Sequence, residues 1–307
     1  QNISVTATDV AGNQSASSFT VKVDSVKPQI AFDTTGLLNG VWYRSATVAV
    51  GAADATSGVQ TLLITDNGFA QSSPIALFDG AHTIFATATD NAGNVQAASL
   101  NLQVDGTPPN IIPNITGTSG SNGWYISDVQ VSASAADAGS GLDTFMIAVD
   151  GNARQDYSAP ISLSDGLHTI QFQATDIAGN STMTSIAIKV DTVPPAQKLV
   201  LNGTTGANNW YVSDVLADVS ASDATSGNVV TTITDNGGLK SFDPITLIEG
   251  IHNLHYTTID AAGNSVSASE VVSVDTTIPT TLLSSPSPNS VAIDTVKNRR
   301  LHPAFVV

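Results

Sequence analysis

Asp165-Gly166-Leu167-His168-Thr169-Ile170-Gln171-Phe172-Gln173-Ala174-Thr175-Asp176-Ile177-Ala178-Gly179-Asn180 is the stretch that decides the fold. His168, Ile170, Phe172 and Ala174 alternate with Thr169, Gln171, Gln173 and Thr175. A period of two belongs to a half-buried strand. Ala178-Gly179 then suits a three-residue hairpin loop closed by a glycine at positive φ, and Asp176 can accept from the loop's own amides. Ile186, Ile188 and Val190 resume the alternation beyond the loop. The segment therefore reads as an antiparallel hairpin.

The hairpin recurs. Thr-Asp-x-Ala-Gly-Asn begins at Thr8, Thr89 and Thr175 and returns as Ile259-Asp260-Ala261-Ala262-Gly263-Asn264, in steps of 81, 86 and 84 residues. Gly12, Gly93, Gly179 and Gly263 are the residues expected at positive φ. Val-Asp followed by proline recurs at Asp24, Asp105, Asp191 and Asp275. Between these marks lie Trp42-Tyr43, Trp124-Tyr125 and Trp210-Tyr211, then Asp-Ala-x-Ser-Gly from Asp54, Asp137 and Asp223. A Gly-x-His step follows, ending at His82, His168 and His252.

Self-similarity at a fixed period is the signature of a repeat architecture. Full repeats are expected at 25–105, 106–191 and 192–275, flanked by a partial repeat of two strands at 1–24 and a partial repeat or donor-strand tail at 276–307. Paired prolines at Pro108-Pro109 and Pro194-Pro195 make the links short and stiff. Val129, Val131, Ala133 and Ala135 alternate like the strands above, and no stretch keeps a helical period. The expectation is an all-β chain of antiparallel β-sandwiches of about seven strands, arranged end to end.

Composition narrows the function. The chain has 307 residues, 26 acidic against 10 basic, for a net charge of -16. Such a chain repels nucleic acid and anionic lipid and attracts cations. Glu249 and Glu270 are the only glutamates, so the acids are mostly turn-favouring aspartates. With no cysteine, thiol catalysis and Cys-based metal sites are excluded. No apolar run reaches the ~20 residues of a membrane-spanning helix. The start at Gln1 reads as a processed chain or a piece of a longer one.

The candidate chemistry is sparse. His82, His168 and His252 recur at one strand position, and a hydrogen-bonded corner explains them better than a ligand or base does. The Trp-Tyr pairs could stack on sugars, but the tryptophan is expected to plug the end of an alanine-rich core. No nucleophile elbow, His-Glu-x-x-His or phosphate-cradling glycine loop is present. No catalytic activity is expected.

Taken together, Thr-Asp-x-Ala-Gly-Asn, Val-Asp-Thr-x-x-Pro, Trp-Tyr-x-Ser-Asp-Val and Asp-Ala-x-Ser-Gly resemble the bacterial Ig-like extender repeats of large secreted adhesins and modular surface proteins. The resemblance covers about 25–275. It implies immunoglobulin-like sandwiches and an extracellular role at the bacterial surface or in a secreted filament. The chain would be a stalk or a head-to-tail fibre subunit, often stiffened by calcium. The alternative is a carbohydrate-binding or spacer module of a secreted polysaccharide-degrading enzyme. A surface glycan or protein ligand stays open as a partner.

In an Ig topology the second-to-third-strand loop and the last hairpin lie where the chain enters. Three acids then converge at each entry: Asp24, Asp54 and Asp90; Asp105, Asp137 and Asp176; Asp191, Asp223 and Asp260. Close like charges need separation, hydrogen bonds or a cation. Calcium accepts irregular sets of oxygens, so these nine aspartates are the candidate calcium ligands. The competing reading is that each merely caps its own turn.

The ends suggest self-association. Ile3, Val5 and Ala7 with Phe19, Val21 and Val23 give 1–24 two apolar strands, and a lone hairpin is marginal in water. Stretches 290–296 and 301–307 carry Val291, Ile293, Leu301, Phe305 and Val306. They are candidates to add strands to the N-terminal hairpin of another copy. The other possibility is that both ends continue covalently.

Overall fold

The computed structural model describes residues 1–240 and 244–281. The donor stretches 290–296 and 301–307 lie outside them. Every regular element among the described residues is a strand. These residues fall into two compact units: Gln1–Ala196 with Ala221–Val230 and Thr258–Val266, and Gln197–Ser220 with Thr231–Thr257 and Ser267 onward.

The segment from 110 to 190 folds as two sheets. The smaller runs Asn110–Thr116, Val129–Ala136, Ile161–Leu163; the larger runs Trp124–Tyr125, Ser181–Val190, Gly166–Asp176, Leu142–Val149, Gln155–Asp156. His168 pairs with Ile188, and Thr175 with Ser181, in the hairpin read from the sequence. One pairing departs from an all-antiparallel sandwich. Trp124 and Tyr125 run parallel to Lys189 and Val190. Trp210–Tyr211 does the same beside Ser273 and Val274, in two sheets of the same order. In the 29–104 segment the unbroken strand Trp42–Ala53 takes part in both pairings: Trp42 and Tyr43 lie parallel to Gln103 and Val104, while the strand pairs antiparallel with Gln29–Asn39 along its length and with Ile75–Leu77 at residues 46–48. Among the described residues that segment therefore has seven strands, and the next two have eight each.

The inward side of each alternation makes a core. Val129, Val131 and Ile111 face Ile147, Ile170, Phe172, Ile188 and Val190. Val48, Val50 and Ile75 with Ile84, Ala86 and Val104 form a second cluster, and Val215, Ala217 and Leu247 with Ile233, Leu254 and Val274 a third. Fully burying a side chain such as Phe172 or Ile170 is worth about 1.5–3 kcal/mol. Phe145, Tyr157 and Phe172 meet at centroid distances of 5.1, 5.8 and 5.3 Å, and the Tyr157 hydroxyl accepts the Ala133 amide at 3.2 Å.

The tryptophan expectation needs correction. Neighbouring strand residues point to opposite faces, and it is Tyr43, Tyr125 and Tyr211 that pack on the three clusters. Trp124 is buried instead beneath Lys189, whose Nζ lies 5.8 Å from the ring centroid, and Trp210 is 36% exposed.

At the N-terminus, Asn2–Thr8 and Gln14–Thr20 pair only with each other, and every residue of both strands is exposed.

Candidate metal centres

Three sets of aspartates gather where the strands end. Asp24, Asp105 and Asp191 follow a last strand, Asp54, Asp137 and Asp223 open a loop after the second main strand, and Asp90, Asp176 and Asp260 stand at or just after the end of the next-to-last strand. Within each set, one carboxylate oxygen per residue lies within 4.8 Å of the others. The sequence grouped the nine residues in these same sets. All nine belong to the first compact unit.

Each aspartate also caps its own loop. Asp54 Oδ1 accepts the amides of Thr56, Ser57 and Gly58 at 3.1, 2.8 and 2.9 Å. Asp223 Oδ1 accepts those of Thr225, Ser226 and Gly227 at 3.0, 2.8 and 2.9 Å. Asp137 accepts from Gly139 and Gly141. The turn-capping reading and the convergence of charge hold together.

A linker aspartate reaches further. Asp105 Oδ2 accepts the Ser140 amide at 2.6 Å and Asp191 Oδ2 the Ser226 amide at 3.1 Å, so the linker is bonded to the loop of the sandwich it enters. Gly139 makes room for this: a Cβ there would lie 2.5 Å from the Asp105 carboxylate. The hairpin asparagine ties the third strand of chain. Asn180 donates at 2.8 Å to both Asp176 Oδ2 and the Asp105 carbonyl, and Asn264 does so to Asp260 Oδ2 and the Asp191 carbonyl at 3.0 and 2.9 Å.

Amide donors decide the ionisation. Burial pushes Asp90 up, but the Asn94 side chain and the amides of Asn94, Ala92 and Gly93 outweigh it and hold the carboxyl below its ordinary value. Burial likewise opposes, and bonds from Ser140 and Thr107 overcome, for Asp105. For Asp223 the opposing donors are the amides of Gly227, Thr225 and Ser226. Each set therefore keeps a carboxylate in the ionised form that a hard cation takes as ligand.

The first set carries the clearest fit to a cation. Asp24 Oδ1 and Asp54 Oδ1 are occupied by amides, while Asp24 Oδ2 and Asp54 Oδ2 are buried without a hydrogen-bond partner. Unpaired buried carboxylate oxygens are costly unless a cation or water meets them. The donor set is all oxygen, which suits calcium and not a softer transition metal.

Residues 33–106 and 116–192 each match the family described as bacterial Ig-like domain. These two segments are bacterial Ig-like domains. No curated protein matches the chain. Among solved structures, the tetra-tandem repeat in the extending region of a large adhesion protein is 19% identical, with 90% of this chain and 81% of that one covered and a TM-score of 0.31. The Ca2+-stabilized adhesin that helps an Antarctic bacterium bind ice is 19% identical, with 89% and 81% covered and a TM-score of 0.30. Protocadherin gammaB7 EC3-6 is 16% identical, with 89% and 84% covered and a TM-score of 0.36.

In both bacterial Ig-like domains the histidine sits in the corner expected for it. His82 Nδ1 lies 2.7 Å from Asp66 Oδ2 and its Nε2 2.8 Å from the Phe78 carbonyl. His168 meets Asp150 Oδ2 at 2.9 Å and the Ser164 carbonyl at 2.8 Å, and the sandwich that follows repeats this with His252, Asp235 and Ile248. The sequence reading missed the acid partner. Its signal was present: Asp66, Asp150 and Asp235 precede their histidines by 16, 18 and 17 residues. Gly93 and Gly179 of the two bacterial Ig-like domains, with Gly12 and Gly263, take the expected positive φ, between 89° and 100°.

Proposed function

We propose that this chain is an extender segment of an extracellular bacterial surface protein. Its sandwiches space a distal part from the cell, and calcium at the aspartate sets fixes each joint. The observation that carries the reading is the bonding of two successive linkers on both sides. Asp79 accepts the Gly106 amide and the Thr107 hydroxyl at 2.7 and 2.5 Å, while Asp105 is held by Ser140 and Asn180 of the next domain. Asp165 holds Thr192 in the same way before Asp191 meets Ser226. A linker with bonds on both sides transmits orientation, which a spacer needs and an independent binding module does not. No helix among the described residues is long and apolar enough to cross a membrane.

Asp24, Asp54 and Asp90, with the two later sets, would hold calcium as oxygen ligands; the ion would supply positive charge that lets three carboxylates share one junction. A pair of spin labels on Ser99→Cys and Ser185→Cys in this cysteine-free chain tests the spacer reading. The expected result is one narrow distance distribution with calcium that broadens in chelator. A broad distribution in both conditions would overturn it.

A further inference from the structure

Two contacts of one kind occur between successive sandwiches within the first compact unit. The turn before Trp42 reaches the hairpin of the next sandwich: Asn39 Nδ2 donates to the Ile177 carbonyl at 2.8 Å and Arg44 Nη1 to the Gly179 carbonyl at 3.0 Å. The turn before Trp124 does the same. Asn122 Nδ2 donates to the Ala261 carbonyl at 2.9 Å, and the Ser121 amide to the Ala262 carbonyl at 2.7 Å. In both, the asparagine takes the carbonyl of the residue after the hairpin aspartate. Gly120 permits the approach, because a Cβ there would collide with the Ala262 carbonyl.

The turn at 203–212 keeps this chemistry. Gly206, Ala207 and Asn208 align with Gly120, Ser121 and Asn122. Asn208 has φ 54° beside 51° at Asn122. The internal frame is also the same: the Gly206 amide donates to the Trp210 carbonyl as that of Gly120 does to Trp124. No described residue accepts from Asn208 or covers Trp210 as Trp124 is covered. At the other end, the hairpin at 9–13 has the acceptor half. Asp9 accepts the Asn13 amide and side chain at 2.8 and 2.9 Å, just as the clasped hairpins are built. Yet Val10 and Ala11 are exposed, whereas Ala178 and Ala262 in clasped hairpins are fully buried.

We propose that the 203–212 turn of one chain docks on the 9–13 hairpin of a second copy. Asn208 donates to the Val10 carbonyl, and the Ala207 amide to the Ala11 carbonyl. The hairpin at 90–94 is a poorer occupant. Each turn clasps the sandwich that follows its own, and 90–94 follows the segment 1–24 to which it is covalently joined. A head-to-tail contact of this kind is heterologous and does not close. The proposal rests on the extender reading, but it fails separately, since a monomeric spacer would still give the narrow label distances above.

The test uses the full chain. Asn208→Cys and Val10→Cys chains carrying different tags are mixed and treated with a short bis-maleimide. Asn122→Cys with Ala261→Cys in one chain calibrates the yield of a contact already present. Cross-linking of 208 to 10 close to the calibrating yield, and well above that of 208 to an exposed Ser18→Cys, supports the docking. A yield no higher than with Ser18→Cys overturns it. Sedimentation of the unsubstituted chain guards against a variant that misfolds. Concentration-dependent association, weakened about 2- to 10-fold by Asn208→Ala, is expected. A chain that sediments as a monomer at every concentration overturns the proposal.

Discussion

The Asn180 side chain donates at 2.8 Å to the carboxylate of Asp176 and, from the same nitrogen, at 2.8 Å to the backbone carbonyl of Asp105. One buried amide thus joins the last hairpin of a sandwich to the linker by which the chain enters it. Asn180→Ala leaves that carbonyl and a carboxylate oxygen short of a donor. The expected loss is about 1–3 kcal/mol in chemical denaturation. Asn180→Asp should cost more in chelator, because it adds a fourth charge, and should recover in part with calcium. Equal stability of the aspartate variant in both conditions would contradict a cation at this set.

Calcium itself should raise the melting temperature. At a hundredfold excess over its Kd, one bound ion adds roughly 2.7 kcal/mol. Because Asp24 Oδ2 and Asp54 Oδ2 are the buried unpaired oxygens, the variant Asp24→Asn with Asp54→Asn should lose part of the calcium response and melt no lower in chelator. Calorimetry with and without chelator checks this, and an unchanged melting temperature removes calcium from the proposal.

The corner of His168 and Asp150 gives a pH dependence with two limbs. Burial pulls the imidazole down, but the bonds to Asp150 and the Ser164 carbonyl outweigh it and raise it above 6.5. A raised histidine contributes fully below its unfolded value and loses that contribution as pH rises through the folded one. The Thr169 amide and then His168 hold Asp150 below 3.8, so its contribution is present above that value and lost as pH falls through the folded one. The difference between the parent and His168→Gln should therefore be largest between these limits and shrink on both sides. The Asp150 side chain is 40% exposed, and solvent screening keeps the effect to about 1 kcal/mol or less. A difference that grows at pH 9 would refute the pairing.

Local pattern made the strands legible. The alternation from His168 to Ala174 and the Ala-Gly turn gave the hairpin, and recurring aspartates gave the three sets. Which of two adjacent aromatic residues joins the main cluster was not legible, because a two-residue strand fits either phase; Tyr125 packs on that cluster and Trp124 is buried on the opposite face, beneath Lys189. The contact of Asn122 with Ala261 spans 139 residues and leaves no local periodic signal. Only the fold brings the two together.

Gly120 offers a test of that contact that spares the core. It does not need positive φ, so alanine leaves the backbone conformation unstrained, but the new Cβ would meet the Ala262 carbonyl and sit 2.6 Å from Ile126 Cγ2. Overpacking of this kind costs about 1–3 kcal/mol. The turn can relieve it by moving away from the hairpin, which breaks the bond from the Ser121 amide to the Ala262 carbonyl. Hydrogen exchange at Ser121 should then accelerate roughly 5- to 150-fold, the equivalent of that cost. The Trp124 amide, bonded to the Ser121 carbonyl within the turn at 3.0 Å, should keep its protection. If both amides accelerate alike, the turn has unfolded and the clasp is not a separate element. If neither does, the Gly120 approach to Ala262 is not made in solution.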